Sequence, residues 1–102
     1  MRAMVFDHYG EPDVMELREV PVPEPQDGEV LIRVGYAGVN PSDSKTRSGY
    51  RVRGIDRPFV TGRDAAGVVE RTGSNVSRIR PGDRVITWSA ADGRTCGLTA
   101  CR

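Results

Sequence analysis

The stretch Glu29-Val30-Leu31-Ile32-Arg33-Val34-Gly35-Tyr36-Ala37-Gly38 reads as the clearest strand of the 102-residue chain. Val30, Ile32, Val34 and Tyr36 alternate with Leu31, Arg33, Gly35 and Ala37. A period of two turns one of these sets toward a core and the other away from it. An Asp27-Gly28 turn precedes the stretch, and Val39-Asn40-Pro41-Ser42-Asp43 follows it. There, an Asn able to cap, a Pro at the first helical position and an Asp in the first turn predict a short helix that ends near Gly49. The central feature is a strand feeding directly into a helix, with Asn40 at the joint.

Toward the N-terminus, Met1–Phe6 and Val14–Val20 read as strands separated by a turn containing Gly10, Pro12 and Asp13. Pro21-Val22-Pro23-Glu24-Pro25 ends the second strand as an extended, unpaired segment, because proline has no N–H to donate. Toward the C-terminus, Tyr50 to Pro58 carries three Arg without any period and reads as a surface loop. Phe59 to Asp64 leads into Ala65-Ala66-Gly67-Val68-Val69-Glu70, whose small residues predict a central strand closely approached by a neighbour. Turns follow at Gly73-Ser74-Asn75 and Pro81-Gly82-Asp83, and Arg84–Trp88 reads as a further strand. Ser89 to Arg102 shows neither alternation nor a helical stripe.

Composition narrows the class. Val occurs 13 times against 3 Leu, and Gly with Pro fill 19 positions, which favours short strands joined by turns over long packed helices. Lys and Arg number 15 against 14 Asp and Glu, so the net charge of +1 lacks the basic excess of a nucleic-acid binder. The longest apolar runs fall far short of the ~20 residues that span a bilayer. Asp7 and His8 interrupt the N-terminal apolar run before it reaches signal-peptide length, which predicts a cytoplasmic chain. Cys96 and Cys101 are the only thiols and have no metal-site spacing, so no metal ligand is expected. The length suits one domain.

Four blocks in order resemble the start of the medium-chain dehydrogenase/reductase superfamily, in its zinc-free quinone oxidoreductase (zeta-crystallin-like) branch. They are Gly10-Glu11-Pro12-Asp13-Val14; Gly38-Val39-Asn40-Pro41-Ser42-Asp43 with Arg47-Ser48-Gly49; Gly62-Arg63-Asp64-Ala65-Ala66-Gly67-Val68-Val69; and Pro81-Gly82-Asp83-Arg84-Val85. The resemblance covers about residues 1–90. It implies a mainly β, GroES-like, partly open β-barrel with one short helix. In complete relatives this packs against a Rossmann domain, with NADPH and substrate in the cleft between the two. No Gly-x-Gly-x-x-Gly and no room for a strand-helix-strand unit remain here. The expectation is therefore a GroES-like (alcohol dehydrogenase N-terminal) domain at residues 1–90 and a divergent, poorly ordered tail at 91–102. Such a truncated member would descend from an NADPH-dependent quinone or enone oxidoreductase and be inactive alone. The alternative is a non-enzymatic GroES-like β-barrel interaction module.

The same resemblance supplies site expectations. Zinc-dependent relatives hold a Cys where Asn40 stands and a His-Glu pair where Arg63-Asp64 stands, and a guanidinium has no free lone pair for a metal. Without zinc, hydrogen bonds must orient the reactants. Asn40 is the catalytic and cofactor-binding candidate: its amide could donate to a quinone or enone oxygen or hold the nicotinamide ring. It could equally serve only as the helix N-cap. Asp43 reads as a helix-start charge. Lys45 stands where close quinone reductases place a cofactor-touching Tyr; it is a candidate for a cofactor phosphate or a solvated helix-face cation.

Overall fold

The computed structural model describes residues 1–50, 58–88 and 98–101. Among these the elements run β1 (Arg2–Phe6), a short 3-10 turn (Pro12–Val14), β2 (Glu16–Glu19), β3 (Val30–Ala37), α1 (Pro41–Arg47), β4 (Phe59–Val60), β5 (Ala65–Thr72), β6 (Arg84–Thr87) and β7 (Leu98–Cys101). The architecture is mainly β with one helix, as expected. Its strands form two small sheets that do not close into a barrel: β2-β1-β4 and β6-β5-β3-β7, every pairing antiparallel. Among the described residues there is no Rossmann unit.

The boundaries follow local chemistry. Pro12 opens the 3-10 turn, so β2 starts at Glu16 rather than at the expected Val14. Asp27 clamps the turn after the proline segment by accepting hydrogen bonds from Ser74 Oγ and Asn75 Nδ2, both at 2.8 Å. Asp83 likewise accepts from the Arg80 N–H at 2.8 Å and sets the turn into β6. Two strands lie outside the sequence expectation. β4 is only two residues long and exists through its pairing with β1, Val5 opposite Val60 and Phe6 opposite Phe59. Of the stretch 91–102, set apart by sequence as a divergent tail, Leu98–Cys101 pairs with Val30–Arg33 as β7; 89–97 and 102 lie outside the described residues. So does 51–57, the bulk of the expected surface loop.

The core also departs from simple alternation. Val30, Leu31 and Ile32 are all buried, at 5%, 0% and 1% exposure, while Tyr36 further along the strand is 83% exposed. Both faces of β3 are covered at its start, and neither covers Tyr36 at its end. Val30 and Ile32 pack with Val69, bordered by Val34, Val76, Ile79 and Val85. In the other sheet Phe6 is fully buried, with its ring 5.5 Å from that of Phe59 and 6.3 Å from that of Tyr9. Each such side chain removed from water contributes about 1.5–3 kcal/mol. Gly67 marks where β5 presses on β3: a Cβ there would lie 2.1 Å from the Arg33 carbonyl oxygen. The glycine within the small-residue run of β5 is thus a packing requirement.

Candidate functional site

Sheet register gathers the site. Ala37 at the end of β3 pairs with Ala65 at the start of β5, and Ala65 pairs with Thr87 at the end of β6. The residues just after Ala37, just before Ala65 and just after Thr87 therefore emerge at one end of the sheet. They are Gly38 to Ser42, Arg63 and Asp64, and Trp88. Asn40, Pro41, Ser42, Arg63, Asp64 and Trp88 line a cleft of about 410 Å³, within the ~300–1,000 Å³ usual for small-molecule sites.

Asn40 is held from two directions. Its extended backbone (φ −120°, ψ 155°) makes it the N-cap of α1, with Pro41 at the first helical position. The Asn40 N–H donates to Asp43 Oδ2 at 2.7 Å, and the Asp43 N–H donates to the Asn40 carbonyl at 2.9 Å. These bonds put Asp43 in the helix-start role expected for it. The Asn40 side chain turns the other way, where Nδ2 donates to Asp64 Oδ2 at 2.8 Å. A carboxylate only accepts, so this bond decides which end of the amide is nitrogen. The Gly38 N–H donates to the Asp64 carbonyl at 2.9 Å, tying the two chain segments together. A Cβ on Gly38 would sit 3.4 Å from Asn40 Nδ2 and from Asp64 Cβ, at the edge of ordinary contact with both partners.

Charge divides the cleft. Asp64 is committed to Asn40, whereas the exposed Arg63 guanidinium makes no hydrogen bond or ion pair among the described residues. The Trp88 indole, 90% exposed, adds a flat apolar wall. The hydroxyl of Thr87, the preceding residue, is buried with no hydrogen-bond partner among the described residues.

The structure thus brings the sequence candidate Asn40 into the cleft but not Lys45, which is exposed on α1 and absent from the lining. Sequence reasoning missed Asp64 and Trp88 as site residues and treated Arg63 only as a reason against zinc. The signal for all three was the strand register, which brings their segments together. Among the described residues no group of three or more His, Cys, Asp or Glu is gathered as a metal site, and no helix is long and apolar enough to cross a membrane.

Comparison with known proteins places this geometry in a family. Human quinone oxidoreductase is 44% identical over 94 residues, spanning 91% of this chain and 29% of that protein. The chain therefore spans less than a third of the length of the relatives it matches. The structure of Escherichia coli quinone oxidoreductase complexed with NADPH superposes with a TM-score of 0.91 at 29% identity, covering 99% of this chain and 31% of that one. A cobalt- and zinc-bound thermostable alcohol dehydrogenase from Pyrobaculum aerophilum matches with a TM-score of 0.77 at 43% identity, over 84% of this chain and 26% of that one. Residues 26–102 match the family described as the alcohol dehydrogenase GroES-like domain. On that match, which covers most of its length, the chain belongs to the alcohol dehydrogenase GroES-like domain family.

Proposed function

We propose that the chain supplies the substrate-side wall of an NADPH-dependent quinone or enone reductase site, and that it does not turn over by itself. The observation that carries this is Asn40, whose amide is fixed by Asp64 at 2.8 Å in a cleft at the sheet end. Relatives named as quinone oxidoreductases, one of them complexed with NADPH, support the reading.

The donor set suits a nicotinamide. With Nδ2 bonded to a carboxylate, the Asn40 amide is polarised so that its oxygen becomes the stronger acceptor. A primary carboxamide carries N–H groups that match such an oxygen. When bound, a reduced nicotinamide supplies a hydride and gains positive charge. Asn40 would hold the carboxamide, Asp64 would keep Asn40 in orientation and lower the local potential, and Trp88 would exclude water from one side. Lys45, with a flexible cationic stem and no ion pair among the described residues, would meet a cofactor phosphate. The set Asn40, Arg63 and Asp64 is ill suited to zinc, since it offers one carboxylate beside a guanidinium.

The test is an NADPH titration followed by the side-chain amide resonance of Asn40. A saturable shift, absent in Asn40→Ala, with no quinone-dependent NADPH oxidation above buffer, is the expected result. An unmoved Asn40 resonance would overturn the cofactor role, and turnover would overturn the incompleteness. A second reading, a non-enzymatic interaction module, is favoured by the apolar sheet face of Tyr36, Val68 and Ile86, which are 83%, 40% and 85% exposed. Concentration-dependent association in light scattering without any NADPH response would select it.

A further inference from the structure

We propose that Arg63 anchors the acceptor: its guanidinium takes the carbonyl oxygen of a planar conjugated substrate, while the Asp64–Asn40 pair takes the nicotinamide. This rests on the reductase reading above and assigns a direction to it. Two residues adjacent in sequence carry opposite charges into one cleft, and they are used differently. Asp64 is bonded to Asn40 at 2.8 Å, and Arg63 has no partner among the described residues.

The chemistry separates charge along the same line. A hydride, one hydrogen with two electrons, bonds to the acceptor carbon. The carbonyl π pair, directly or through conjugation, moves onto the oxygen, and that oxygen then takes a proton from solvent. The donor side becomes more positive and the acceptor oxygen negative. A carboxylate stabilises the first and repels the second, and a guanidinium does the reverse. An oxyanion placed against Asn40 would share that amide with the Asp64 carboxylate, a like charge across one group. Placed against Arg63, it meets a fork of donors that is unpaired among the described residues. The exposed face of Trp88 on the same cleft offers an aromatic acceptor an offset-stacked platform.

Para-nitrophenolate, a flat anion resembling the acceptor after hydride arrival, and its neutral methyl ether para-nitroanisole separate charge from shape. Both would be titrated by NMR into the full chain, the Arg63→Gln variant and the Arg84→Gln variant at slightly alkaline pH. Arg84 is a control, since it lies on the sheet face away from this cleft lining. We expect Arg63→Gln to weaken phenolate binding at least about tenfold, the worth of one charge-assisted hydrogen bond. The NADPH-induced shift at Asn40 and the nitroanisole response should stay within about twofold, and Arg84→Gln should match the parent chain. Arg63→Lys, which keeps the charge and loses the fork, should fall between; it also serves if the Gln variant misfolds. Phenolate binding that is absent from the parent chain, insensitive to Arg63→Gln, or equally weakened by Arg84→Gln would overturn the Arg63 assignment while leaving the NADPH result standing. Loss of the NADPH response with Arg63-dependent phenolate binding intact would overturn the division of the cleft and the reductase reading beneath it.

Discussion

Replacing Gly67 with Ala adds one methyl group at the tightest point between β3 and β5. That carbon would lie 2.1 Å from the Arg33 oxygen and 2.9 Å from both the Arg33 carbonyl carbon and Ile32 Cγ2. The obstacle is backbone in the middle of the sheet, so no flexible side chain can swing away, and the strands must part by more than an ångström. Overpacking of this kind costs typically ~1–3 kcal/mol and occasionally more; backbone contact at this distance places the change at the upper end, about 3 kcal/mol. For a chain of this length that lowers Tm by roughly 12–24 °C. Gly35→Ala is the matched control on the partner strand, because its added carbon would meet only the Ala66 oxygen, at an ordinary 3.6 Å. It should stay within about 1 kcal/mol of the parent. Urea unfolding followed by far-UV circular dichroism is the suitable assay, since Trp88 is 90% exposed and its fluorescence would report unfolding weakly. Equal stabilities for the two variants would refute the close approach assigned to Gly67.

Further outcomes follow from the same geometry. Leu31→Ala, at a fully buried position, should cost about 2–5 kcal/mol in urea unfolding, whereas Ile86→Thr, at 85% exposure, should stay within about 0.5 kcal/mol. Asp43→Ala removes the carboxylate that accepts the Asn40 N–H, so it should cost about 0.5–2 kcal/mol and move the Asn40 side-chain resonance. Arg18, hydrogen-bonded to Asp7 and Glu16, has its pKa raised further above the ordinary guanidinium value, chiefly by Asp7. A raised cation contributes its stability below its unfolded pKa and loses it only at higher pH, so Arg18→Ala should leave the pH profile of stability unchanged from neutral to moderately alkaline solution. The ion pairs are solvent-exposed, so any effect of that substitution should also shrink in salt.

The sequence made much of this visible where the signal was local. Alternation in Val30–Ala37 and the Asn40-Pro41-Ser42-Asp43 start needed only near neighbours to be read, and both elements formed within a residue or two of expectation. β4 and β7 were not legible, because neither carries its own period: Phe59–Val60 is ordered by pairing with β1 and Leu98–Cys101 by pairing with β3. Burial of Leu31 was hidden for a related reason, since alternation names two faces and cannot say that both are covered. At the site, Asn40 stood out through its capping context, but Asp64 became its partner only through the Ala37 to Ala65 register. Lys45 illustrates the converse. It is five residues beyond the cap, about 140° around a helix of 3.6 residues per turn, and it is exposed on α1 and not among the residues lining the cleft, so a role toward a cofactor phosphate rests on the cofactor's reach.

Because β3 finds its partners at β5 and β7, and β1 finds one of its own at β4, the chain must close long loops before most of its contacts form. Topologies dominated by such distant pairings refold over milliseconds to seconds, even when short helices form within about a microsecond. Helix α1 gains its tie to Asp64 only once Ala37 and Ala65 are in register. Assembly of the cleft is thus the same event as assembly of the sheet. A time-resolved refolding experiment should see the Asn40 environment and the strand signal mature in one shared phase, with no earlier state in which the cleft exists without its sheet.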